Sequence, residues 1–297
     1  SSTTAPLPEK WKIKIPGGPD VAASRPEALG GAREIQEVVE EFRRAARNAK
    51  RAGFDGVEIH AAHGYLLDQF LKDGINDRTD EYGGSIPNRC RFTLEVVAAV
   101  SAEMGEARTA IRISPVIDHL EGFDSDPVSL GLHLVSELNE MRLAYVHVTE
   151  PRFTREGVKE MPPDSKNICG ILRAAYRGPM MLSGGYTRRT ACEAIRTGAA
   201  DLISFGRLFI SNPDLPLRFA INAKLNQYDR ATFLTHHPVI GYLDYPALRA
   251  CDVARDADWS ASRRDVARAD WSASRPAPLR LPEIVSQMVD VDSIELV

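Results

Sequence analysis

The sequence predicts an α/β protein, an incomplete eight-stranded β/α (TIM) barrel with strands four to eight present and a disordered C-terminal tail. Five short apolar segments alternate with stretches of helical periodicity, at the spacing that βαβ units require. Each segment ends in polar or glycine residues, which is typical of the barrel rim that carries the chemistry. The last two end in SGG and FGR, and barrels commonly bind phosphate after strands seven and eight. Counting back from these makes FDGVEIH the fourth strand, so we expect three βα units to precede residue 1.

The alternation identifies each element in turn. Ile35, Val38, Val39 and Phe42 recur at helical spacing, and Gly53 follows as the expected terminator of this helix. Further helices are predicted around 88–104, 126–141, 165–177 and 188–199. The predicted strands are FDGVEIH, TAIRISP, LAYVHVTEP, PMMLSGG and DLISFGR. An open doubly wound sheet would show the same alternation, but the polar strand ends favour the barrel.

Composition and charge exclude several classes of function. The chain has 297 residues, of which 43% are hydrophobic and 26% charged, as in an ordinary soluble globular protein. A net charge of -4 gives no reason to expect nucleic acid or an acidic membrane surface. No apolar run approaches the roughly 18 residues of a membrane span. The four cysteines lack C-x-x-C spacing and indicate a reducing compartment, and the ending IELV is not a peroxisomal signal, so we expect a cytoplasmic protein.

Three segments differ in character. Residues 1–32 are rich in proline and glycine and are predicted to be a loop or linker, and residues 33–248 form the barrel part. Residues 249–297 contain DVARDADWSASR at 252–263 and a near-copy, DVARADWSASR, at 265–275. Two copies are too few for a solenoid, so we predict a low-complexity tail.

Three side chains with polar hydrogens cluster at the end of the first predicted strand. His60 ends the strand, and His63 and Tyr65 follow in the turn of EIHAAHGY. Together they are suited to hold a carbonyl or phenolate oxygen and to supply a proton. The alternatives are satisfied structural groups, or a metal site in which Asp68 is the nearby carboxylate.

Other polar residues lie at the remaining strand ends. Arg112 is inside an apolar strand and therefore requires a fixed partner, either a carboxylate such as Glu58 or the electron-rich ring of a cofactor. Arg152 follows TEP at the next strand end. The last two strands end in residues that suit a phosphate, Gly184 with Gly185 and Gly206 with Arg207.

These motifs resemble the old yellow enzyme family, and within it the plant 12-oxophytodienoate reductases. The matching stretches are FDGVEIHAAHGYLLDQFLKDGINDRTDEYGGSIPNRCRF, IRISP, SGGYTR, FGRLFISNPDLPLRF and YDRATF…GYLDYP, which cover most of residues 33–248. The resemblance implies an FMN-containing barrel that passes a hydride from NADPH, through the flavin, to the β-carbon of an α,β-unsaturated carbonyl.

The resemblance also implies roles for the matched residues. His60 and His63 would bind the substrate carbonyl oxygen, Tyr65 would protonate the α-carbon, and Arg152 would contact substrate. Arg112 would lie near the pyrimidine edge of the flavin, where positive charge favours the anionic reduced ring. The FMN phosphate would be held by Gly184, Gly185, Gly206 and Arg207.

Two departures from the family pattern qualify this expectation. The family's first three strands, which carry flavin contacts, have no counterpart in the chain, and Leu234 replaces a tyrosine that usually lines the site. We therefore also consider a non-catalytic or unstable fragment that binds FMN weakly or not at all. An unrelated phosphate-binding barrel, such as an aldolase or isomerase, is disfavoured, because no lysine stands at a strand end for Schiff-base chemistry.

Overall fold

The structure is a computed structural model that describes residues 1–13, 19–151, 167–233 and 235–249. The chain forms two compact units. The first comprises Ser1–Gly185 and Glu193–Ser204, and the second comprises Tyr186–Cys192 and the described residues from Phe205 onward.

The N-terminal segment, predicted as loop, contains one short antiparallel ladder between β1 (Lys12–Ile13) and β2 (Val21–Ala22). It is also tied to the rest of the first unit by buried side chains. The Ser2 hydroxyl donates to the Gln69 carbonyl oxygen at 2.9 Å, and the Thr3 hydroxyl donates to Asp77 Oδ2 at 2.8 Å. The segment therefore packs on the elements that follow, although little of it is regular structure.

A five-stranded parallel sheet forms the centre of the first unit and confirms the α/β prediction. Its strands are paired in sequence order, and every neighbouring pair is parallel. The strands are β3 (Val57–Ala61), β4 (Thr109–Ile113), β5 (Tyr145–Thr149), β6 (Met180–Ser183) and β7 (Leu202–Ile203). Sequential order with parallel pairing is the topology of consecutive β/α-barrel strands.

The two faces of this sheet differ in polarity. Alternate residues of a strand point to opposite faces, and Ile59, Ile111 and Val146 are paired in register on an apolar, buried face. Helices cover that face, with α3 packed against β3 and β4. The opposite face carries polar residues in register, including His60, Arg112, His147 and the adjacent Glu58. The fold therefore places its polar side chains together on the face away from the helices.

The predicted helices are present with small changes at their ends. They are α1 (Ala32–Arg51), α3 (Ile86–Met104), α4 (Pro127–Leu138), α5 (Ile168–Ala175) and α6 (Arg188–Thr197), and the short α2 (Leu66–Leu71) precedes α3. Gly53 follows the end of α1 with φ 91° and donates to the Lys50 carbonyl oxygen, as expected of a helix terminator. Helix α3 begins earlier than expected because Ser85 and Pro87 suit a helix start.

The second unit contains two further short helices, α7 (Arg207–Ser211) and α8 (Leu215–Ala220), and a 3₁₀ turn at Arg230–Thr232. The buried Arg218 organises it, because its guanidinium donates to Asp214 and to the carbonyl oxygens of Lys224 and Pro246. Of the predicted tail 249–297, residues 250–297 lie outside the described residues.

Candidate active site

The turn after β3 gathers three of the predicted site residues. His60 lies in β3, and the rings of His63 and Tyr65 have their centroids 5.6 Å and 5.0 Å from its ring. His63 has φ 56° and Gly64 has φ 74°, so two consecutive residues adopt the left-handed conformation. A Cβ at Gly64 would overlap the His119 carbonyl oxygen, which only glycine avoids here. Tyr65 then becomes the N-cap of α2.

His63 is held in place by its backbone while its ring remains available. The His63 N–H donates to Ser114 Oγ at 2.8 Å, and the residue is only 7% exposed. Its Nε2 has no hydrogen-bond partner within the residues that the structure describes. Burial, followed by the charges of Arg112 and of nearby histidines, lowers the pKa of His63 from 6.5 to about 2. The imidazole is therefore neutral at working pH, with one nitrogen able to donate and the other to accept.

Tyr65 differs from His63 in its access to solvent. Its side chain is 45% exposed, whereas His63 is almost fully covered. Tyr65 is therefore open to solvent, whereas His63 is buried. This combination suits a residue that delivers a proton and must be reprotonated after each reaction.

Arg112 lies on the polar face of β4 and is 3% exposed. Its Nε donates to Thr149 Oγ1 at 3.3 Å and its Nη2 to Ser183 Oγ at 3.4 Å. The sequence suggested Glu58 as one of two partners for Arg112. The positive charge of Arg112 does contribute to lowering the pKa of Glu58. The guanidinium thus lies among hydroxyl groups and a carboxylate on the strands of the sheet.

A buried acid–imidazole pair, Glu58 and His147, accompanies Arg112 on this face. His147 Nδ1 lies 3.1 Å from Glu58 Oε2. Burial raises the pKa of Glu58, but the hydrogen bond to His147 and the charges of His147 and Arg112 outweigh it, so the net shift is downward. His147 was not among the site residues predicted from the sequence. The spacing of the strand residues could have identified it. His147 alternates with Val146 and Val148, and it therefore projects from the same face of the sheet as Arg112.

The glycine residues after β6 have the conformations that their sequence position implies. Gly184 has φ 124° and Gly185 has φ 73°. A Cβ at Gly184 would lie 2.7 Å from Glu150 Cβ, so a larger residue would not fit without displacing the backbone. In the second unit, Gly206 is the N-cap of α7, and the Arg207 guanidinium carbon lies 5.9 Å from the centre of the Tyr228 ring. Arg152 and Leu234 lie outside the described residues.

Asp68, considered from the sequence as a metal ligand, has another partner. Its Oδ2 accepts from the Gly64 N–H at 2.8 Å. Within the described ranges, no group of three or more His, Cys, Asp or Glu side chains is disposed to hold a metal ion. The helices of the same ranges include none that is both long and apolar enough to cross a membrane.

Parallel β/α-barrel strands with histidine, tyrosine and arginine side chains at one rim define an enzyme-type site on a barrel scaffold. Residues 27–226 match the model of the NADH:flavin oxidoreductase / NADH oxidase family, and the chain belongs to this family. The family binds FMN.

Similar proteins include plant reductases and a solved barrel structure. The chain is 54% identical over 258 residues to 12-oxophytodienoate reductase 7 of Oryza sativa subsp. japonica, a match covering 84% of the chain and 65% of the relative. It is 50% identical to 12-oxophytodienoate reductase 2 of Arabidopsis thaliana, covering 78% and 62%. Morphinone reductase in complex with tetrahydroNAD is 40% identical with a TM-score of 0.73, covering 81% and 63%. The chain therefore spans a little under two thirds of the length of these relatives.

Proposed function

We propose that the protein is an FMN-dependent ene-reductase that uses NADPH to reduce the C=C bond of an α,β-unsaturated carbonyl compound. The observation that carries this proposal is the His63 ring. Its Nε2 is buried and has no partner among the described residues, and its ring lies 5.6 Å from that of His60, which also contacts Tyr65. Since a buried nitrogen without a partner is costly, a ligand oxygen is its natural complement.

The polar face supports a bound FMN. Arg112 presents a buried positive charge there, which would favour the negative charge of a reduced flavin. Gly184 and Gly185 adopt φ values that allow close approach of backbone to a ligand. These residues would contact the cofactor. When bound, FMN would supply the hydride.

The two histidines would activate the substrate as hydrogen-bond donors. Because the pKa of His63 is lowered to about 2, it would donate from a neutral ring and would not transfer its proton. Two donors fixed on the substrate carbonyl oxygen withdraw electron density from the alkene and stabilise the enolate that develops in the transition state. The hydrogen bond from the His63 N–H to Ser114 Oγ keeps the His63 residue in place before substrate binds.

Tyr65 would protonate the α-carbon of the substrate. Its ring lies 5.0 Å from that of His60, so the two side chains can contact the same small molecule. Its partial exposure allows the phenol to recover a proton from solvent. General-acid catalysis of this kind contributes about 10²–10⁴ in rate.

The relatives support a more specific substrate. Two of them are named 12-oxophytodienoate reductases, so we propose a cyclic oxylipin enone of the jasmonate pathway as substrate. Arg152 would contribute to its binding. A cytoplasmic location is part of the same proposal and is supported by the absence of a disulfide among the described cysteines, Cys90, Cys169 and Cys192.

The alternative is that the chain by itself binds FMN weakly and does not turn over. In the described residues β3 and β7 are the edge strands of the parallel sheet, and unpaired edges reduce stability and invite association. The deciding experiment is to purify the chain, add FMN, and measure the bound flavin by absorbance. Stoichiometric FMN and NADPH-dependent reduction of 2-cyclohexenone support the ene-reductase. A colourless protein that stays inactive with added FMN supports the alternative.

Site variants connect any activity to these residues. Tyr65→Phe and His63→Ala should lose enone reduction. Two matched controls should retain it: Tyr242→Phe, at a tyrosine of similar exposure, and His133→Ala, in α4. Equal losses in variants and controls would contradict the assignment.

A further inference from the structure

Two buried residues of opposite charge, Asp68 and Lys72, make hydrogen bonds to the segments that hold the His63–Tyr65 turn. Asp68, in α2, is 1% exposed, and Lys72, one helical turn later, is fully buried. The charge of each stabilises the other. A buried charged pair costs desolvation free energy and is weak support for stability alone. Its polar contacts therefore indicate what else it does.

Asp68 fixes one side of the turn. Its Oδ2 accepts the Gly64 N–H at 2.8 Å, and Gly64 is the second of two residues with positive φ. Left-handed backbone at a non-glycine residue such as His63 is costly and persists only where surrounding contacts impose it. The carboxylate supplies such a contact at the peptide that joins His63 to Gly64.

Lys72 fixes the other side through the segment that follows β4. Its Nζ donates to the carbonyl oxygens of Ser114 at 2.9 Å, Pro115 at 2.5 Å and Ile117 at 3.3 Å. The hydroxyl of that same Ser114 accepts the His63 N–H. Lys72 thus places the residue that holds His63. Asp68 therefore acts on the peptide that follows His63, and Lys72 acts through Ser114 on the peptide that precedes it.

Other charges surround the pair. Arg89 of α3 forms an ion pair with Asp124, and Asp118 and Asp124 come from the segment after β4. Burial raises the pKa of Asp68 to about 6, opposed by Lys72 and the Gly64 N–H and reinforced by Asp124. Burial likewise lowers the pKa of Lys72, opposed by Asp68, Asp124 and Asp118 and reinforced by Arg89.

We propose that Asp68 and Lys72 are positioning residues that hold the His63 ring and the Tyr65 hydroxyl in the arrangement used for substrate reduction. The inference rests on the proposed function for its catalytic consequence. The structural part, that Asp68 sets the Gly64 peptide and Lys72 sets Ser114, stands on the contacts alone.

A set of variants separates the effect of the Asp68 hydrogen bond to Gly64 from the effect of its charge on Lys72. Asp68→Ala removes both the acceptor and the charge, whereas Asp68→Asn keeps an oxygen that can accept the Gly64 N–H. The double variant Asp68→Ala/Lys72→Met restores neutrality without restoring the acceptor. Leu134→Ala in α4 is the control for general destabilisation, since Leu134 is a core residue remote in sequence from the turn.

Amide hydrogen exchange by NMR gives the readout on the apoprotein. In Asp68→Ala, the protection factor of the Gly64 N–H should be about tenfold lower than in the wild-type protein. In Asp68→Asn, it should be close to the wild-type value. The double variant should recover melting temperature but not Gly64 protection. Restoration of that protection by the double variant, or unchanged protection in Asp68→Ala, would show that the pair serves charge balance only.

Two further measurements complete the design. If Asp68→Ala does not fold, the Gly64 amide shift of the wild-type protein should titrate near the raised pKa of Asp68, about 6, and a shift unaffected through that pH overturns the proposal. In turnover assays kcat for enone reduction should fall about a hundredfold in the double variant, with little change in KM for NADPH. A wild-type protein without turnover refutes the proposed function, but the Gly64 readout still decides the positioning role.

Discussion

His60 and Arg112 occupy directly paired positions on β3 and β4, so their side chains project from the same face of the sheet. One proposed substrate ligand and one proposed cofactor ligand are thereby fixed by a backbone ladder rather than by loops. Parallel pairing sets their separation, and the turn after β3 adds His63 and Tyr65 to the same end.

Tyr65→Phe should lower kcat for enone reduction by about 10²–10⁴ because it removes the proposed proton donor while retaining the ring. Reduction of the bound flavin by NADPH should be unchanged, since that half-reaction needs no proton from Tyr65. Stopped-flow absorbance measures the two half-reactions separately. If Tyr65→Phe slowed both half-reactions, or neither, Tyr65 would not be the proton donor. The control variant Tyr242→Phe should behave as wild type.

His63 should make folding stability depend on pH. Above about pH 6.5 the residue is neutral in both states and contributes nothing. Between its unfolded pKa of 6.5 and its folded pKa of about 2, only the unfolded chain binds the proton, so stability falls as pH falls.

His63→Asn removes this dependence and suits the left-handed backbone at this position. Relative to the variant, the wild-type protein should lose about 1.4 kcal/mol of unfolding free energy per pH unit below about pH 6.5. Urea unfolding at a series of pH values measures this difference. Parallel pH profiles for the two proteins would contradict a neutral, buried His63.

Arg112→Lys should weaken FMN binding by about tenfold, because a single ammonium cannot reproduce the planar donor geometry of the guanidinium. Fluorescence quenching during FMN titration gives the dissociation constant. Arg108→Lys is a suitable control, since Arg108 immediately precedes β4 at its opposite end. Equal affinity in Arg112→Lys and wild type would remove Arg112 from the proposed cofactor site.

Gly184→Ala should destabilise the fold by more than the roughly 1–2 kcal/mol that positive φ alone costs. The added Cβ would lie 2.7 Å from Glu150 Cβ, which requires a backbone shift beside the strand end. Gly53→Ala provides the comparison, because Gly53 also has positive φ but its Cβ would meet nothing within 4 Å. Thermal unfolding of both variants separates the cost of positive φ from the cost of the Cβ overlap. Equal losses of stability in the two variants would show that the overlap costs nothing.

The local pattern of the sequence by itself determined the order and type of the main elements. Apolar runs and helical periodicity predicted β3 to β7 and the helices between them, and Gly53 ended α1 as expected. These features follow from interactions between residues near one another in the chain, including burial of one helical face and glycine's tolerance of positive φ. The strand-end position of His60, His63, Tyr65 and Arg112 was likewise visible in the sequence.

Only the tertiary structure decided which of these residues meet and what supports them. His147 contacts Glu58 across strands far apart in sequence, and Lys72 contacts the carbonyl oxygen of Ser114. The lowered pKa of His63 also depends on burial and on Arg112 of the neighbouring strand. Such contacts depend on strand register and on helix packing, which bring together residues that no local pattern relates, and burial then strengthens each electrostatic interaction.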